Sequence, residues 1–470
     1  MSIRALDRFA WGADAPWGPG PLVWLGFPLL AVSSVMLWFL PSTLATAAGA
    51  GLAVGLLLAI PLLWREGYTL MVLWLAPIAA FEPLPTPGVR AAKYVLLAAA
   101  IAVAIAKRNL SDMPAGRFDV KAILPSAVLL GWLWLRALLG AEPLAGALEA
   151  GRLTLVAGVA WLWLTEPPRS GARRYYFALW MAMAAFQATV CIVEASALGA
   201  LRSYGTFPNA NAMGAYLLIS TGLCFAFAIG AQRRAHKVGL WCLVSVQLFA
   251  MYLTGSRAAW VALLICLLVS AATARHWRSL GLGLMTLLAV VVVYVSNPLF
   301  RMVTQAALRF QTGLTHRPIL WEAADRAADN VPPWGYGLEA AGDVMSREAR
   351  YPSEIHSEIL APMMKAGNPH NFYRELWLET GPIGMALFLM AVWALARSAW
   401  RHRASPDRAR RAYAITLLGV TCGLLVHAYF ERSMFLGTMS YAIFYWFLVT
   451  QAVRENDPLR AETAPASPAR

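Results

Sequence analysis

The sequence predicts an all-α, polytopic integral membrane protein with about 12–14 transmembrane helices and one large helical loop. Of its 470 residues, 59% are hydrophobic and only 14% are charged, too few charges for the surface of a water-soluble domain of this size. Apolar runs of roughly 18–22 residues, enough to cross about 30 Å of hydrocarbon, recur along the chain. The connections between them alternate between cation-rich and cation-poor, as expected for loops on opposite sides of a membrane.

Fourteen apolar segments are candidate membrane helices or parts of them. They lie at 21–40, 43–63, 68–82, 91–106, 122–139, 153–165, 175–199, 211–231, 238–254, 258–274, 279–296, 382–396, 412–428 and 434–452. Several are shorter than a full span, so that two neighbours could form one broken helix. The N-terminal residues lack the basic, apolar and small-residue order of a cleavable signal, and the first segment is therefore expected to remain as an anchor.

The cation-rich connections all fall on one side of this alternation. With the N-terminus in the cytoplasm, the cytoplasmic loops contain WREG at 64–67, KRNLSDMPAGRFDVK at 107–121, PPRSGARR at 167–174, QRRAHK at 232–237, RHWR at 275–278 and RSAWRHRASPDRARR at 397–411. This distribution obeys the positive-inside rule. It accounts for most of the net charge of +14 without a nucleic-acid-binding surface.

The outer face receives short connections and one long stretch, at about 297–369. Helical patterns at about 299–311 and 318–330 are separated there by Gly and Pro, and loops of this length usually carry function. The predicted organisation is an N-terminal transmembrane bundle at 1–296, the outer loop at 297–369, C-terminal transmembrane helices at 370–452 and a disordered cytoplasmic tail at 453–470.

Several motifs that would indicate a metal, a cofactor or a disulfide framework are absent from the sequence. The five cysteines are isolated within apolar segments, which predicts neither a disulfide framework nor a metal site. The sequence has no Asp-x-Asp pair, no cluster of His and carboxylates at metal-ligand spacing, and no glycine motif for a nucleotide. We therefore expect no metal and no cofactor. If phosphate leaves in a reaction here, arginines must balance its charge.

Isolated basic residues occur in or near the outer connections, where the positive-inside rule predicts few Lys and Arg. They are Arg90, Lys93, Arg136, Arg152, Arg202, Arg257, Arg317 and Arg432. An isolated arginine at a helix end commonly reaches lipid headgroups, which is the plainer interpretation for Arg90, Arg152 and Arg432. Several cations at one membrane depth instead indicate a polyanionic ligand at the outer leaflet, because guanidinium groups match phosphate oxygens in pairs.

Two of these arginines lie in tight turns. Arg257 occurs in YLTGSRAAWVALL, between apolar flanks and with no acid nearby in the sequence, so that its anion must come from elsewhere. Arg202 occurs in LRSYGTFPNANAMGAYLL, where Asn209 and Asn211 lie in a turn that caps the next helix. The N-terminus of that helix also offers N–H groups to an anion.

The stretch NPHNFYRELWLETGPIG, at 368–384, puts polar residues at the mouth of an apolar helix. Asn371 is a favourable N-cap, which predicts that a helix begins at Phe372; the later Gly-Pro-Ile-Gly weakens it. The positive end of the helix dipole disfavours a charged His370. A neutral imidazole suits a general base or a group that orients a hydroxyl, and a hydrogen-bonded interfacial histidine is the alternative. Glu379 is expected to pair with one of the outer arginines.

Four motifs between residues 202 and 384 resemble those of the O-antigen ligase and polymerase superfamily of bacterial inner-membrane glycosyltransferases. GTFPNANAMGAYL is similar to the family's Gly-x-Phe-x-Asn-x-Asn turn, although Asn209-Ala210-Asn211 stands in place of its usual Asn-Pro-Asn. TGSRAAW is similar to its Ser-Arg turn. HRPILWEAA followed by PPWGYGLEA resembles the Arg-x-x-x-Trp and Gly-x-Gly pair of its periplasmic loop. HNFYRELWLETGPIG resembles its His-Asn and Glu-x-Gly-x-x-Gly signature, the most specific of the four.

The resemblance implies a GT-C-like fold with a helical periplasmic loop, and transfer of a glycan from undecaprenyl pyrophosphate to an acceptor without a metal. The short tail and single long loop look most like an O-antigen ligase whose acceptor is lipid A–core. With this resemblance, we expect catalysis by His370 and Arg257. Binding of the pyrophosphate is expected from Arg202, Arg257, Arg317, Lys93, Arg136 and Arg152, with support from Asn371, Glu379, Asn209 and Trp321.

Three alternatives remain, the last of them a non-catalytic partner in polymer export. An O-antigen polymerase or a protein O-oligosaccharyltransferase of the same superfamily shares these motifs. A transporter or flippase of lipid-linked glycans would also bring cations to a lipid pyrophosphate. Such carriers typically show internal repeats and broken helices near mid-membrane, whereas here no repeat is evident and the polar clusters lie at one surface.

Overall fold

The computed structural model describes residues 87–109, 117–165, 172–197, 200, 202–207, 209–278, 317–348, 369–432 and 439–454, with scattered positions between 281 and 298. These residues form twelve α-helices and no β-strand. In chain order the helices are α1 Pro87–Asn109, α2 Val120–Leu139, α3 Pro143–Thr165, α4 Ala172–Ala197, α5 Ala210–Gly230, α6 Arg234–Thr254, α7 Arg257–Thr273, α8 Arg317–Ala328, α9 Ala341–Glu348, α10 Phe372–His402, α11 Arg408–Ala428 and α12 Met439–Val453.

Ten of these helices coincide with apolar segments of the sequence. Seven of them (α2–α6, α10 and α11) are long and apolar enough to cross a membrane, while α7 and the apolar parts of α1 and α12 are shorter. The all-α, polytopic membrane class is thereby confirmed. The predicted segments 21–40, 43–63 and 68–82 lie outside the described residues, as does most of 279–296. The total of 12–14 helices therefore stays a prediction.

The centre of the described bundle is formed by α5 and α11, which pack against each other and against α7. Of the apolar stretch of α5, 89% is buried. The contact between α11 and α7 depends on glycine, because a Cβ at Gly419 would lie 2.1 Å from the hydroxyl oxygen of Ser270. Within a bilayer the hydrophobic effect does not drive helices together, because lipid tails are as apolar as the side chains. Small residues stabilise such a contact by letting the helix backbones approach closely enough for van der Waals packing.

Helix α10 consists of two sections joined at Gly381. This glycine has a left-handed backbone, with φ 66° and ψ −174°, and Pro382 follows it. The predicted weakening by Gly-Pro-Ile-Gly is thereby confirmed. A Cβ at Gly381 would lie 2.3 Å from the carbonyl oxygen of Pro333, because the chain after α8 crosses α10 at this point.

That crossing segment, residues 332–338, is here called the clasp. Its backbone N–H groups at Tyr336 and Gly337 donate to the carbonyl oxygens of Leu378 and Glu379, at 2.8 and 3.0 Å. These carbonyls are the ones that the break at Gly381 leaves without partners along the helix. The clasp therefore replaces helical hydrogen bonds and fixes the first section of α10 to the loop.

The loop helices α8 and α9 pack on each other and on the first section of α10. Their small core consists of Leu320, Ala323, Ala324, Ala327, Ala341, Met345 and Leu378. The helix predicted at 318–330 is confirmed by α8, whereas the one predicted at 299–311 lies outside the described residues. The long stretch thus contains an ordered helical pair that is attached to the start of α10.

The connections sort to two ends of the bundle. Those after α5, α7 and α10, all of them cation-rich, line one common cavity. The turns at 202–209, 254–257 and 431–432 meet at the other end, together with α8 and the start of α10. The alternation inferred from the loops is therefore reproduced in the packing of the described helices.

Candidate active site

A single carboxylate, that of Glu431, joins three of the four motifs. Glu431 lies in the connection after α11, and its side chain is 7% exposed. Its Oε1 accepts hydrogen bonds from Arg317, at the start of α8, and from the amide of Asn211, in the first turn of α5. Its Oε2 lies 3.2 Å from Nδ1 of His370. We call these residues, with Arg202, the Glu431 network.

Arg202 connects the network to the fourth motif. Its Nη2 donates to Oδ1 of Asn211 at 3.0 Å, and its Nε donates to the carbonyl oxygen of Thr254 at 2.9 Å. Thr254 is the last residue of α6, directly before the Gly-Ser-Arg turn. The turn that contains Arg202 and the turn that contains Arg257 are therefore held side by side. Arg257 is the first residue of α7.

The turn before α5 is shaped by a buried acid of α4. The carboxylate of Glu194 accepts the backbone N–H groups of Tyr204 and Gly205, both at 2.9 Å. Gly205 has a left-handed backbone with φ 57°, a conformation open to glycine without steric cost. Asn209 caps α5 as predicted, accepting the N–H of Ala212 at 2.8 Å.

Asn371 caps α10 and fixes the backbone that carries His370. Its side-chain oxygen accepts the N–H groups of Tyr373 and Arg374, both at 3.1 Å, and the helix begins at Phe372 as predicted. His370 itself has a left-handed backbone with φ 49°. For a residue with a Cβ this conformation is uncommon, and residues held in it tend to occur at functional sites.

Trp321 ties α8 to the same stretch. Its indole N–H donates to the carbonyl oxygen of Pro369 at 3.0 Å, directly before His370. The guanidinium of Arg374 lies 5.0 Å above the Trp321 ring and pairs with Asp325 at 2.7 Å. The loop helix thus holds the backbone of His370 from one side, while the cap at Asn371 holds it from the other.

The charge of Glu431 fixes the tautomer of His370. Burial alone would raise the pKa of Glu431, but the hydrogen bond from His370 and the charge of Arg317 hold it below its usual range. An ionised carboxylate can only accept hydrogen bonds, so that the hydrogen between the two side chains lies on Nδ1. In a neutral imidazole, the lone pair is then on Nε2. The His370 side chain is 34% exposed.

A second cluster of charges surrounds Arg432, the residue after Glu431. Its guanidinium lies 3.3 Å from Glu149, 2.5 Å from Glu339 and 3.0 Å from Glu375. Burial would lower the pKa of Arg432, but these carboxylates raise it well above its usual value. The interpretation of Arg432 as an arginine that reaches lipid headgroups is therefore wrong. A guanidinium removed from water needs compensating charge, and the protein supplies it.

Arg152 and Arg136 lie outside the Glu431 network. Arg152 pairs with Glu149 at 2.5 Å, within the Arg432 cluster, so the headgroup interpretation is wrong for it as well. Arg136 donates to the carbonyl oxygen of Gly335 at 3.1 Å, in the clasp. The described contacts give both residues structural partners rather than a place beside His370. The side chains of Lys93 and Arg90 lie outside the described part of the chain.

Glu379 differs from its prediction in its contact. Its carboxylate accepts the backbone N–H of Glu339 at 2.9 Å, and the acid in direct contact with an arginine is Glu375, one helical turn earlier. Both acids lie on one buried face of α10, as their spacing predicts. The supporting role of Glu379 is therefore to hold the chain after the clasp, with Arg432 contributing charge at longer range.

Glu431 was not among the residues predicted from the sequence to form the site. Its partners His370, Arg317 and Asn211 lie 61, 114 and 220 residues away, so that no local spacing connects them. One signal could have found it. Glu431 is an acid directly after an apolar helix, on the face that is poor in charges, and it precedes an arginine.

The network brings an imidazole and two guanidinium groups together around one carboxylate. Arg202 and Arg317 contribute two positive charges against the one negative charge of Glu431, so that a net charge of +1 remains when His370 is neutral. Guanidinium groups can form paired hydrogen bonds with the oxygens of a phosphate. Among the described residues, no group of three His, Cys, Asp or Glu side chains is arranged to hold a metal ion.

The fold and this site define a polytopic helical membrane protein with an imidazole, a carboxylate and guanidinium groups in contact at one end of its bundle. Residues 242–389 match the family model described as O-antigen ligase. The predicted resemblance to the O-antigen ligase and polymerase superfamily, a group of glycosyltransferase-like enzymes, is thereby confirmed. The match covers just under a third of the chain and includes Arg257, Arg317 and His370 but not Glu431. No curated protein sequence is significantly similar to the chain.

Proposed function

We propose that this protein is an O-antigen ligase, an inverting glycosyltransferase of lipopolysaccharide biosynthesis. It would move O-antigen polysaccharide from undecaprenyl pyrophosphate to the lipid A–core oligosaccharide. The observation that carries the proposal is the Glu431 network, in which one carboxylate holds both His370 and Arg317. The family match supports the superfamily, and the single long loop between apolar segments favours the ligase within it.

The pyrophosphate of the donor is proposed to bind to Arg202, Arg257 and Arg317. As the bond between the anomeric carbon and the pyrophosphate oxygen breaks, its electron pair stays on the leaving group and the negative charge there grows. Preorganised guanidinium groups stabilise this charge more in the transition state than in the ground state. The Arg317 side chain is only 18% exposed, so its field is weakly screened by water.

His370 is proposed to be the base. The hydroxyl oxygen of the acceptor attacks the anomeric carbon from the side opposite the pyrophosphate, which inverts the linkage. Nε2 of His370 takes the hydroxyl proton as the new bond forms. Glu431 is a positioning residue, since it keeps the other hydrogen on Nδ1 and stabilises the imidazolium that results.

The proposed location is the bacterial inner membrane, with the network at the periplasmic end and both termini in the cytoplasm. The observation that supports it is the separation of charges. The cation-rich connections line a cavity at one end of the bundle, which the positive-inside rule assigns to the cytoplasm. The Glu431 network lies at the other end, where a lipid-linked glycan and lipid A–core would meet.

Transfer in vitro tests the proposal. Purified full-length protein in detergent is mixed with an undecaprenyl-pyrophosphate-linked O-antigen, rough lipopolysaccharide and EDTA. We expect polysaccharide attached to the lipopolysaccharide, since no metal is required. A chelator-sensitive reaction restored by one divalent ion would mean that acids such as Glu375 hold a metal.

Three other outcomes would assign a different function. A donor glycan that lengthens without reaching lipopolysaccharide indicates a polymerase. Glycan found on an added acceptor protein indicates a protein O-oligosaccharyltransferase. Donor that crosses the bilayer of proteoliposomes without any transfer indicates a flippase.

A further inference from the structure

The cavity lined by the cation-rich connections lies at the end of the bundle away from the Glu431 network. Its volume is about 1150 Å³. The walls come from the first part of α4, the last part of α5, the beginnings of α6 and α11, the end of α7 and the connections after α5, α7 and α10. None of these lining residues contributes to the Glu431 network or to the Arg432 cluster.

This cavity has basic and apolar walls. The basic side chains are Arg233, Arg275, Arg403, Arg408 and Arg411, with His236 and His276, and the described lining residues include no Asp or Glu. The apolar wall includes Phe177, Phe227, Leu240 and Ile415. The cavity therefore presents a concentrated positive charge directly beside a surface that favours hydrocarbon.

Two acids at this end of the bundle, Asp407 and Asp119, do not line the cavity. Asp407 caps α11, where its carboxylate accepts the N–H groups of Ala409 and Arg410, at 2.9 and 3.3 Å. Asp119 pairs with Arg401 at 2.5 Å. Neither acid lines the cavity, whose described wall contains five arginines and no carboxylate.

We propose that this cavity binds an anionic phospholipid, with its headgroup phosphate on the arginines and its acyl chains along the apolar wall. Guanidinium groups make paired contacts with phosphate oxygens and keep their charge when partly desolvated. Basic pockets between membrane helices on the cytoplasmic side are typical sites for anionic headgroups. The positive-inside rule alone would give basic loops, but it would not gather five of their arginines around one cavity.

The size of the cavity favours a lipid over a free phosphate compound. Pockets for drug-sized ligands measure about 300–1,000 Å³, and this one is larger. An inorganic phosphate or a glycerol phosphate would fill a small part of it and would leave the rings of Phe177 and Phe227 uncovered. A diacyl lipid covers both walls at once.

Native mass spectrometry of the purified full-length protein tests this inference. The probes are phosphatidylglycerol, phosphatidylcholine with the same acyl chains, and soluble glycerol phosphate. We expect the wild type to retain phosphatidylglycerol at least tenfold more tightly than phosphatidylcholine, and not to retain glycerol phosphate. The double variant Arg275→Gln/Arg411→Gln should bind phosphatidylglycerol at least tenfold more weakly. Each guanidinium contributes roughly fivefold to the affinity for an anionic lipid, and the variant removes two.

A matched control removes the same charge from the same end of the molecule. Arg117 and Arg234 are exposed there and do not line the cavity, so that Arg117→Gln/Arg234→Gln should leave phosphatidylglycerol binding within about twofold. An equal loss in both double variants would mean that the lipid responds to general surface charge, and would overturn the site. Glycerol phosphate bound as tightly as the lipid would overturn the choice of ligand.

Photo-crosslinking keeps the inference testable if the double variant does not fold. Wild-type protein is irradiated with phosphatidylglycerol that carries a diazirine on one acyl chain, and the labelled peptides are sequenced. Labels should concentrate in residues 226–240 and 408–415, which contribute to the apolar wall. Labels spread evenly over the membrane-facing helices would contradict the proposal.

Discussion

Nδ1 of His370 donates a hydrogen bond to Glu431 across 3.2 Å, and the other oxygen of the same carboxylate binds Arg317. One acid therefore orients an imidazole and holds a guanidinium next to it. In the proposed reaction, the proton acceptor and the site for the leaving pyrophosphate are coupled through this carboxylate. A change at Glu431 should disturb both the proton acceptor and the pyrophosphate site, whereas a change at His370 should disturb only the proton acceptor.

Replacement of His370 should separate chemistry from donor binding. We expect His370→Ala to insert, fold and retain the lipid-linked donor, because the arginines of the network remain. Transfer should fall by roughly 100- to 10,000-fold, the usual contribution of a positioned general base. Glu322→Ala, a change at an exposed acid of α8, is the control and should transfer normally. Transfer by His370→Ala within a few-fold of the wild type would make His370 a structural interfacial residue.

Glu431→Gln should slow transfer although it keeps the shape of the side chain. An amide can donate to Nδ1 and thereby favour the wrong tautomer of His370, a type of change that lowers turnover by as much as about 10⁴-fold behind a catalytic histidine. We expect a loss between about tenfold and that limit, with Glu322→Gln as the neutral control.

A double variant tests whether Glu431 acts through His370. If it does, the loss that Glu431→Gln causes through His370 should be absent once His370 is replaced. His370→Ala/Glu431→Gln should then transfer no more slowly than His370→Ala alone, provided that donor retention is unchanged. Any further loss would have to come from the arginines, and donor retention measured on the same samples would show it. Independent, multiplying losses with unchanged donor binding would contradict the positioning role.

Arg257→Lys should fail nearly as badly as Arg257→Ala. A single ammonium cannot reproduce the paired contact of a guanidinium with phosphate, and removal of one such donor lowers the rate by on the order of 100- to 1000-fold. The measurement is the transfer rate at saturating donor. Arg326→Lys, in an exposed ion pair with Glu322, is the control. Near-normal activity of Arg257→Lys would assign this arginine to lipid headgroups instead.

Gly381→Ala should destabilise the protein and displace His370. Alanine is strained at φ 66°, and its Cβ would collide with the carbonyl of Pro333, so the loss should exceed about 1–3 kcal/mol. Gly131→Ala is the matched control. A Cβ there meets nothing within 4 Å, and the change should be neutral or stabilise helix α2 by up to about 1 kcal/mol. Thermal unfolding in detergent compares the two, and equal unfolding temperatures would contradict the clasp.

The stability that Glu431 contributes should be lost in acid. Because its pKa is lowered in the folded protein, this contribution is complete above the unfolded value of about 4.3 and declines as the pH falls toward the folded value. The unfolding temperature of the wild type should exceed that of Glu431→Gln by a steady margin at neutral pH, and the margin should shrink below about pH 4. A margin that is unchanged at pH 3 would show that the carboxylate is not stabilised as described.

The fold and half of the site follow from local patterns in the sequence. Apolar runs predict the spans, and capping rules predict the starts of α5 at Asn209 and of α10 at Asn371, because these features depend on neighbours a few residues apart. The partners of Arg317 and Arg432 do not follow. They are carboxylates on other helices, and a sequence on its own shows that a buried guanidinium needs an anion without showing whether protein or ligand supplies it.

Glu431 comes after every other member of its network in the chain. During synthesis, Arg202, Asn211, the long loop and His370 all leave the ribosome before α11 and the acid that follows it. The arginines are thus synthesised first, and the carboxylate that binds Arg317 follows only with the connection after α11. A nascent chain that has not reached Glu431 therefore holds the positive charges of the site without the carboxylate that orders them, and the described arrangement can form only after the connection that follows α11 has been synthesised.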